Sequence, residues 1–145
     1  MELRRKMEVA LSIGFAFLMS TGQRACAVDA CSLLTADQAA TALGVPAVNT
    51  GAGANRCVWT PKKYARGAGQ LTVLVEGAND GAKMMGQGTA VNGVSDEAIQ
   101  TVVGNGAVLH VRKGNTWFVV NLHGVPLEQA KHVEQTVSKE LVGKL

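Results

Sequence analysis

Two cysteines constrain this chain more than any other feature: Cys31, and Cys57 within Cys57-Val58-Trp59. Both follow a segment with the character of a secretion leader. An even pair of cysteines in an exported chain reads as a disulfide. The loop it closes spans 26 residues, for which the chain-entropy model gives about 3.5 kcal/mol of stabilisation. The bond would tie the entry of the first helix to the first strand and hold a small domain together. The competing uses of a thiol need other residues. A metal site needs clustered ligands such as paired Cys-x-x-Cys, and the sequence has none. A nucleophilic thiol needs a partner histidine, which nothing in the sequence assigns.

The leader is read from residues 1–27. Arg4, Arg5 and Lys6 form a positive start, Val9 to Met19 an apolar run, and Ala25-Cys26-Ala27 a small-x-small cleavage pattern. That order is the signature of a signal peptide, with cleavage expected after Ala27. The apolar run is about half of the ~20 residues a membrane-spanning helix needs, so contact with the membrane is expected only in transit. A buried N-terminal helix is the alternative, against which the basic cluster argues. Lipidation of Cys26 or Cys31 is another. Gln23 and Arg24 before Cys26, and Asp29 before Cys31, fit a lipid-modification motif poorly. A periplasmic or secreted protein is expected, with residues 28–145 forming one domain.

The leader also distorts the charge balance. The full chain holds 14 Lys and Arg against 11 Asp and Glu. Arg4, Arg5, Lys6 and Arg24, with Glu2 and Glu8, leave with the leader, so the remainder carries ten against nine. A nearly neutral domain has no global field to attract nucleic acid or an anionic membrane.

Leu34-Thr35-Ala36-Asp37-Gln38 predicts a helix start, with Thr35 and Gln38 as a capping box. Gly44-Val45-Pro46 predicts its end. Val48 to Arg56, rich in Gly and Asn, reads as loop. Arg56 to Thr60 and Gln70 to Glu76 read as an antiparallel hairpin. Gly77 to Gly93 is irregular, and Asp80 is placed to cap a short helix carrying Ala82, Met84 and Met85. Ala98 to Val103 reads as a strand. Ala107 to Lys113 and Thr116 to Leu122 flank Gly114-Asn115, a Gly-first pair that suits a type II′ turn. That turn predicts Lys113 opposite Thr116, Arg112 opposite Trp117, Val111 opposite Phe118, Leu109 opposite Val120 and Ala107 opposite Leu122. Pro126 to Val142 predicts a second helix, its apolar stripe running through Leu127, Ala130, Val133 or Glu134, Val137 and Leu141. The expected fold is α+β: one mostly antiparallel sheet of four to five strands, with the N- and C-terminal helices packed on one face.

Candidate functional residues are few. Lys62, Lys63, Tyr64 and Arg66 form the densest positive cluster outside the leader, with an aromatic inside it. This cluster reads either as a binding tip or as a solvated loop whose lysines protect a sheet edge. Trp117, opposite Arg112, has a cation–π contact within reach; it is either a ligand platform or a second packing layer. Trp59 is expected in the core against the disulfide. Asp96 and Glu97 are adjacent carboxylates, suited to acid–base work, to Ca²⁺, or simply to a turn. His110, His123 and His132 are scattered. Gly51-Ala52-Gly53, Gly86-Gln87-Gly88 and Gly104-Asn105-Gly106 complete no dinucleotide or phosphate-loop pattern. No cofactor, metal site or nucleic-acid partner is expected.

Several short motifs, in order, carry a resemblance. They are Cys31-Ser32-Leu33-Leu34-Thr35, Ala39-Ala40 with Leu43-Gly44, Cys57-Val58-Trp59, Gly93-Val94-Ser95-Asp96-Glu97-Ala98, and Val111-Arg112-Lys113-Gly114. Together they resemble a family of small exported bacterial domains of unknown function, some of them lipoproteins. The resemblance implies paired cysteines and an α+β envelope protein, and carries no catalytic residue. Ser95 stands where the family pattern Gly-x-Gly-Asp-Glu-Ala has its second Gly.

The functional expectation is a non-catalytic binding or sensor module of the envelope, with an envelope protein or a small ligand as partner. The alternatives are a small secreted hydrolase built on Asp96, Glu97 and a histidine, and an inhibitor of an exported enzyme that would act through a protruding loop.

Overall fold

The computed structural model describes residues 28–77 and 87–145. The leader, with its cleavage pattern at Ala25-Cys26-Ala27, and the helix expected after Asp80 lie outside the described residues.

The chain begins with a 3-10 turn, Ala30–Ser32, and a helix α1, Ala36–Leu43. Thr35 caps α1: its hydroxyl accepts from Gln38 N–H, and the Gln38 side chain accepts from Thr35 N–H, the reciprocal box expected from sequence. Strands β1 (Ala47–Gly53), β2 (Arg56–Pro61) and β3 (Gln70–Glu76) follow. After the undescribed stretch come β4 (Thr89–Ala90), β5 (Glu97–Val103), β6 (Gly106–Lys113), β7 (Thr116–His123) and a helix α2 (Leu127–Val142).

The seven strands form one antiparallel sheet in the order β1-β2-β3-β7-β6-β5-β4. The α+β single-domain expectation holds; the count of four to five strands is too low. β1 was hidden by its Gly- and Asn-rich composition, which reads as loop. Its residues pair because β2 offers a ladder, and a bulge at Thr50, between Asn49 and Gly51, absorbs the poor fit. β4 is two residues long and exists only by pairing Thr89 with Gln100 and Ala90 with Ile99.

Both helices lie on one face. Under them Cys57, Trp59, Leu71, Val73, Leu109, Val111, Phe118, Val120 and Leu122 form a single core with Ala39, Leu43, Ala130, Val137 and Leu141. The Gly114-Asn115 turn has the sign pattern expected of type II′: Gly114 has φ +57° and no non-glycine residue has positive φ among the described residues. The hairpin register follows it from Lys113↔Thr116 to Leu109↔Val120. The ladder stops there, so the expected Ala107–Leu122 pair is absent; the Ala107 carbonyl accepts instead from Asn121 Nδ2 at 2.8 Å.

Cys31 and Cys57 are disulfide-bonded, Cα to Cα 4.9 Å. The bond joins the 3-10 turn to β2, the second strand rather than the first. With its sulfur in this bond, Cys31 has none left for a lipid thioether, which overturns lipidation at that position. Asn49, at the β1 bulge, directs its Nδ2 at both sulfurs, 3.1 Å from Cys31 Sγ and 3.2 Å from Cys57 Sγ.

Candidate functional site

The β2–β3 connection is built outward from the sheet. Its base is pinned where Lys62 N–H donates to the Pro46 carbonyl at 2.7 Å, extending the β1–β2 ladder, and its far side turns where Ala68 N–H reaches Ala65 O at 3.2 Å. Between these anchors Lys62, Lys63, Tyr64 and Arg66 are all exposed, and Tyr64 is 95% exposed. A cavity of about 420 Å³ beside the loop is lined by Val45, Pro46 and Lys62 through Ala65. A second, of about 580 Å³, shares Val45, Pro46 and Lys62 and runs along α1 past Asp37. The four loop residues named from sequence therefore lie on one loop, and Lys62, Lys63 and Tyr64 border an apolar floor of Val45, Pro46 and Ala65.

Trp117 and Arg112 lie elsewhere. The loop precedes Gln70, which pairs with His123, whereas Trp117 pairs with Glu76 at the other end of β3. Six residues of strand put about 20 Å between the two ends. Trp117 is 4% exposed, so it presents no open ring face. Its side chain is buried on the sheet face away from the helices. Alternation along β7 shows which face it occupies but not that the face is covered.

Arg112 is engaged at the β6–β7 turn. Its Nε lies 2.5 Å from Glu97 Oε2, and its guanidinium donates to Gly114 O at 2.9 Å. Asp96 accepts from Gly114 N–H at 2.8 Å and lies 4.0 Å from Arg112. The Gly114 N–H holds the Asp96 carboxyl below its ordinary range against the opposing effect of desolvation, and Lys113 and Arg112 add to the lowering. The hydrogen bond to Glu97 raises Arg112 further, so it stays charged. These carboxylates clamp a turn. Neither meets a histidine: His110 faces Glu76 at 3.5 Å across β7, His123 is exposed at the end of β7, and His132 lines a groove between α1 and α2. Among the described residues no group of three or more His, Cys, Asp or Glu is placed to hold a metal ion.

By periodicity either Val133 or Glu134 lies on the α2 stripe. Glu134 is the fully buried one; its Oε2 accepts from Gln100 Nε2 and its Oε1 from Leu122 N–H. Burial pushes its carboxyl up to about 7, with the two hydrogen bonds opposing. The sign of burial at this position was not legible from periodicity, because Val133 and Glu134 both lie near the stripe.

No protein-family model, curated protein or solved structure matches this chain.

Proposed function

We propose that this protein is an exported, non-catalytic binding module of the bacterial envelope, and that it engages its partner through the β2–β3 loop. The observation that carries the reading is Tyr64. A large aromatic side chain 95% exposed, flanked by Lys62, Lys63 and Arg66, has no packing to account for it. Binding residues concentrate on such loops, held by a rigid scaffold. The cavity floor of Val45, Pro46 and Ala65 offers apolar contact next to the cations. The disulfide supports an oxidising compartment such as the periplasm or the medium. Among the described residues no helix is long and apolar enough to cross a membrane.

The inhibitor reading shares this surface, since the same loop projects from the sheet. A photo-cross-linking residue at position 64 of the purified protein, mixed with envelope extract, tests both. A discrete adduct that disappears in a Lys62→Glu/Lys63→Glu background supports the module. If the adduct is a hydrolase whose activity falls on binding, the module is an inhibitor. The same background labelling as from a cross-linker at exposed Glu128 would refute the loop as a binding surface.

A further inference from the structure

One buried acid on the helix-covered face is unused by the loop. Glu134, midway along α2, bridges two strands: Oε2 accepts from Gln100 Nε2 of β5 at 2.6 Å, and Oε1 from Leu122 N–H of β7 at 2.9 Å. The second bond has a cause in the sheet. Counting from the Lys113–Thr116 pair, which closes the two-residue turn, every second pair exchanges backbone hydrogen bonds. Leu122 N–H and Ala107 O would be partners in that series. The ladder ends at Leu109↔Val120, Asn121 Nδ2 takes the Ala107 carbonyl, and Leu122 N–H turns to Glu134. The β6–β7 seam is thus open at this end, with a carboxyl set into it from the helix side. On the opposite side of the same opening lies a cavity of about 400 Å³ lined in part by Gly106, Val108, Asn121 and His123.

The surroundings favour a proton on this carboxyl. Gln100 Oε1 is buried with no donor, and so is Ser138 Oγ one helical turn beyond Glu134. Gln100 Oε1, on the amide that meets Glu134, is an acceptor without a donor, and a full carboxylate charge would set a second strong acceptor beside it. No cation faces Glu134 among the described residues. Near these two contacts the helix-covered face presents Gln100 of β5, Ala107 and Leu109 of β6, and Val120 and Leu122 of β7, none of which ionises. His110 is on the other face of the sheet. On α2, Lys131 pairs with Glu128 and His132 is exposed; toward α1, Glu140 and Lys144 are bonded to Gln38. Two neutral donors do not offset the cost of burying a charge without a counter-ion, and the carboxyl titrates near neutrality as a result.

We propose that Glu134 is a proton-operated latch: as a neutral acid it ties α2 to β5 and to the open end of the β6–β7 seam, and its ionisation loosens that end of the sheet. The latch acts independently of the loop and of any partner. The sign follows from linkage. The folded state holds this proton up to about pH 7, whereas the unfolded chain releases it near 4.5. The folded state therefore binds more protons between these values, and stability falls as pH rises through them.

Thermal unfolding of the protein and of Glu134→Gln, with NMR of the Glu134 carboxyl carbon, tests the latch. The expected result is a melting temperature that drops roughly 5–10 °C more in the parent than in the variant between pH 5 and pH 8. The carbon should titrate near neutral pH, and the Leu122 amide should lose exchange protection as it does so. An equal pH response in both proteins, or a carboxyl midpoint in the ordinary glutamate range, would overturn it. If Glu134→Gln does not fold, the carboxyl titration and the Leu122 protection in the parent protein decide alone.

Discussion

The two tryptophans show what a single side chain does in this fold. Trp59 is buried in the main core, as its place beside Cys57 implied, but its Nε1 is buried without an acceptor. An indole N–H in that position keeps its desolvation cost. Trp59→Phe, which removes the N–H with modest loss of volume, should therefore cost less than about 1.5 kcal/mol. Trp59→Ala should cost about 3–5 kcal/mol. Urea titration of both variants measures the difference, and a Phe variant as damaged as the Ala variant would mean that the ring's shape governs this site. Trp117 and Glu134 were less legible, for one reason. Periodicity assigns a residue to a face or a stripe, while burial depends on what other parts of the chain cover it. Tyr64 is the converse case: its sequence neighbours placed it in a polar loop, but its exposure could be seen only once the loop was folded.

At the scale of elements, local chemistry predicted what it closes by itself. The Thr35–Gln38 box starts α1 where expected, and Gly114-Asn115 sets a hairpin register correct through four of the five pairs named in advance. The fifth is replaced by side-chain contacts: Asn121 Nδ2 takes the Ala107 carbonyl and Glu134 the Leu122 amide. β1 and β4 were missed because each is a strand by virtue of its neighbour. β4 is held partly by close approach. A Cβ on Gly88 would lie 2.5 Å from the Gln100 carbonyl and 2.8 Å from the methyls of Ile99 and Thr101. A backbone oxygen has no room to yield, so Gly88→Ala should lift β4 off β5 at about 1–3 kcal/mol. Hydrogen exchange reads this locally, because Val91 N–H is bonded to Ala98 O at 2.8 Å. Undiminished protection at Val91 would show that the edge accommodates the methyl.

For the molecule as a whole, the disulfide ties the N-terminal turn to β2 across 26 residues. Removing it in Cys31→Ser/Cys57→Ser should lower stability by about 3.5 kcal/mol, mostly through the unfolded chain. Denaturation midpoints of the oxidised, reduced and double-Ser forms should put the last two together and below the first. An unchanged midpoint would mean that the core alone holds the turn. The amino-acid sequence was sufficient for the oxidised pair, the α+β class, the helix limits and the central hairpin, because each depends on neighbouring residues or on a count. Only the tertiary structure decided that the sheet has seven strands, that Trp117 is covered, that Asp96 and Glu97 clamp a turn, and that Glu134 lies in an open seam. Those outcomes depend on which distant segments meet, and the free energy of burial and of an unpaired polar group is settled by that meeting.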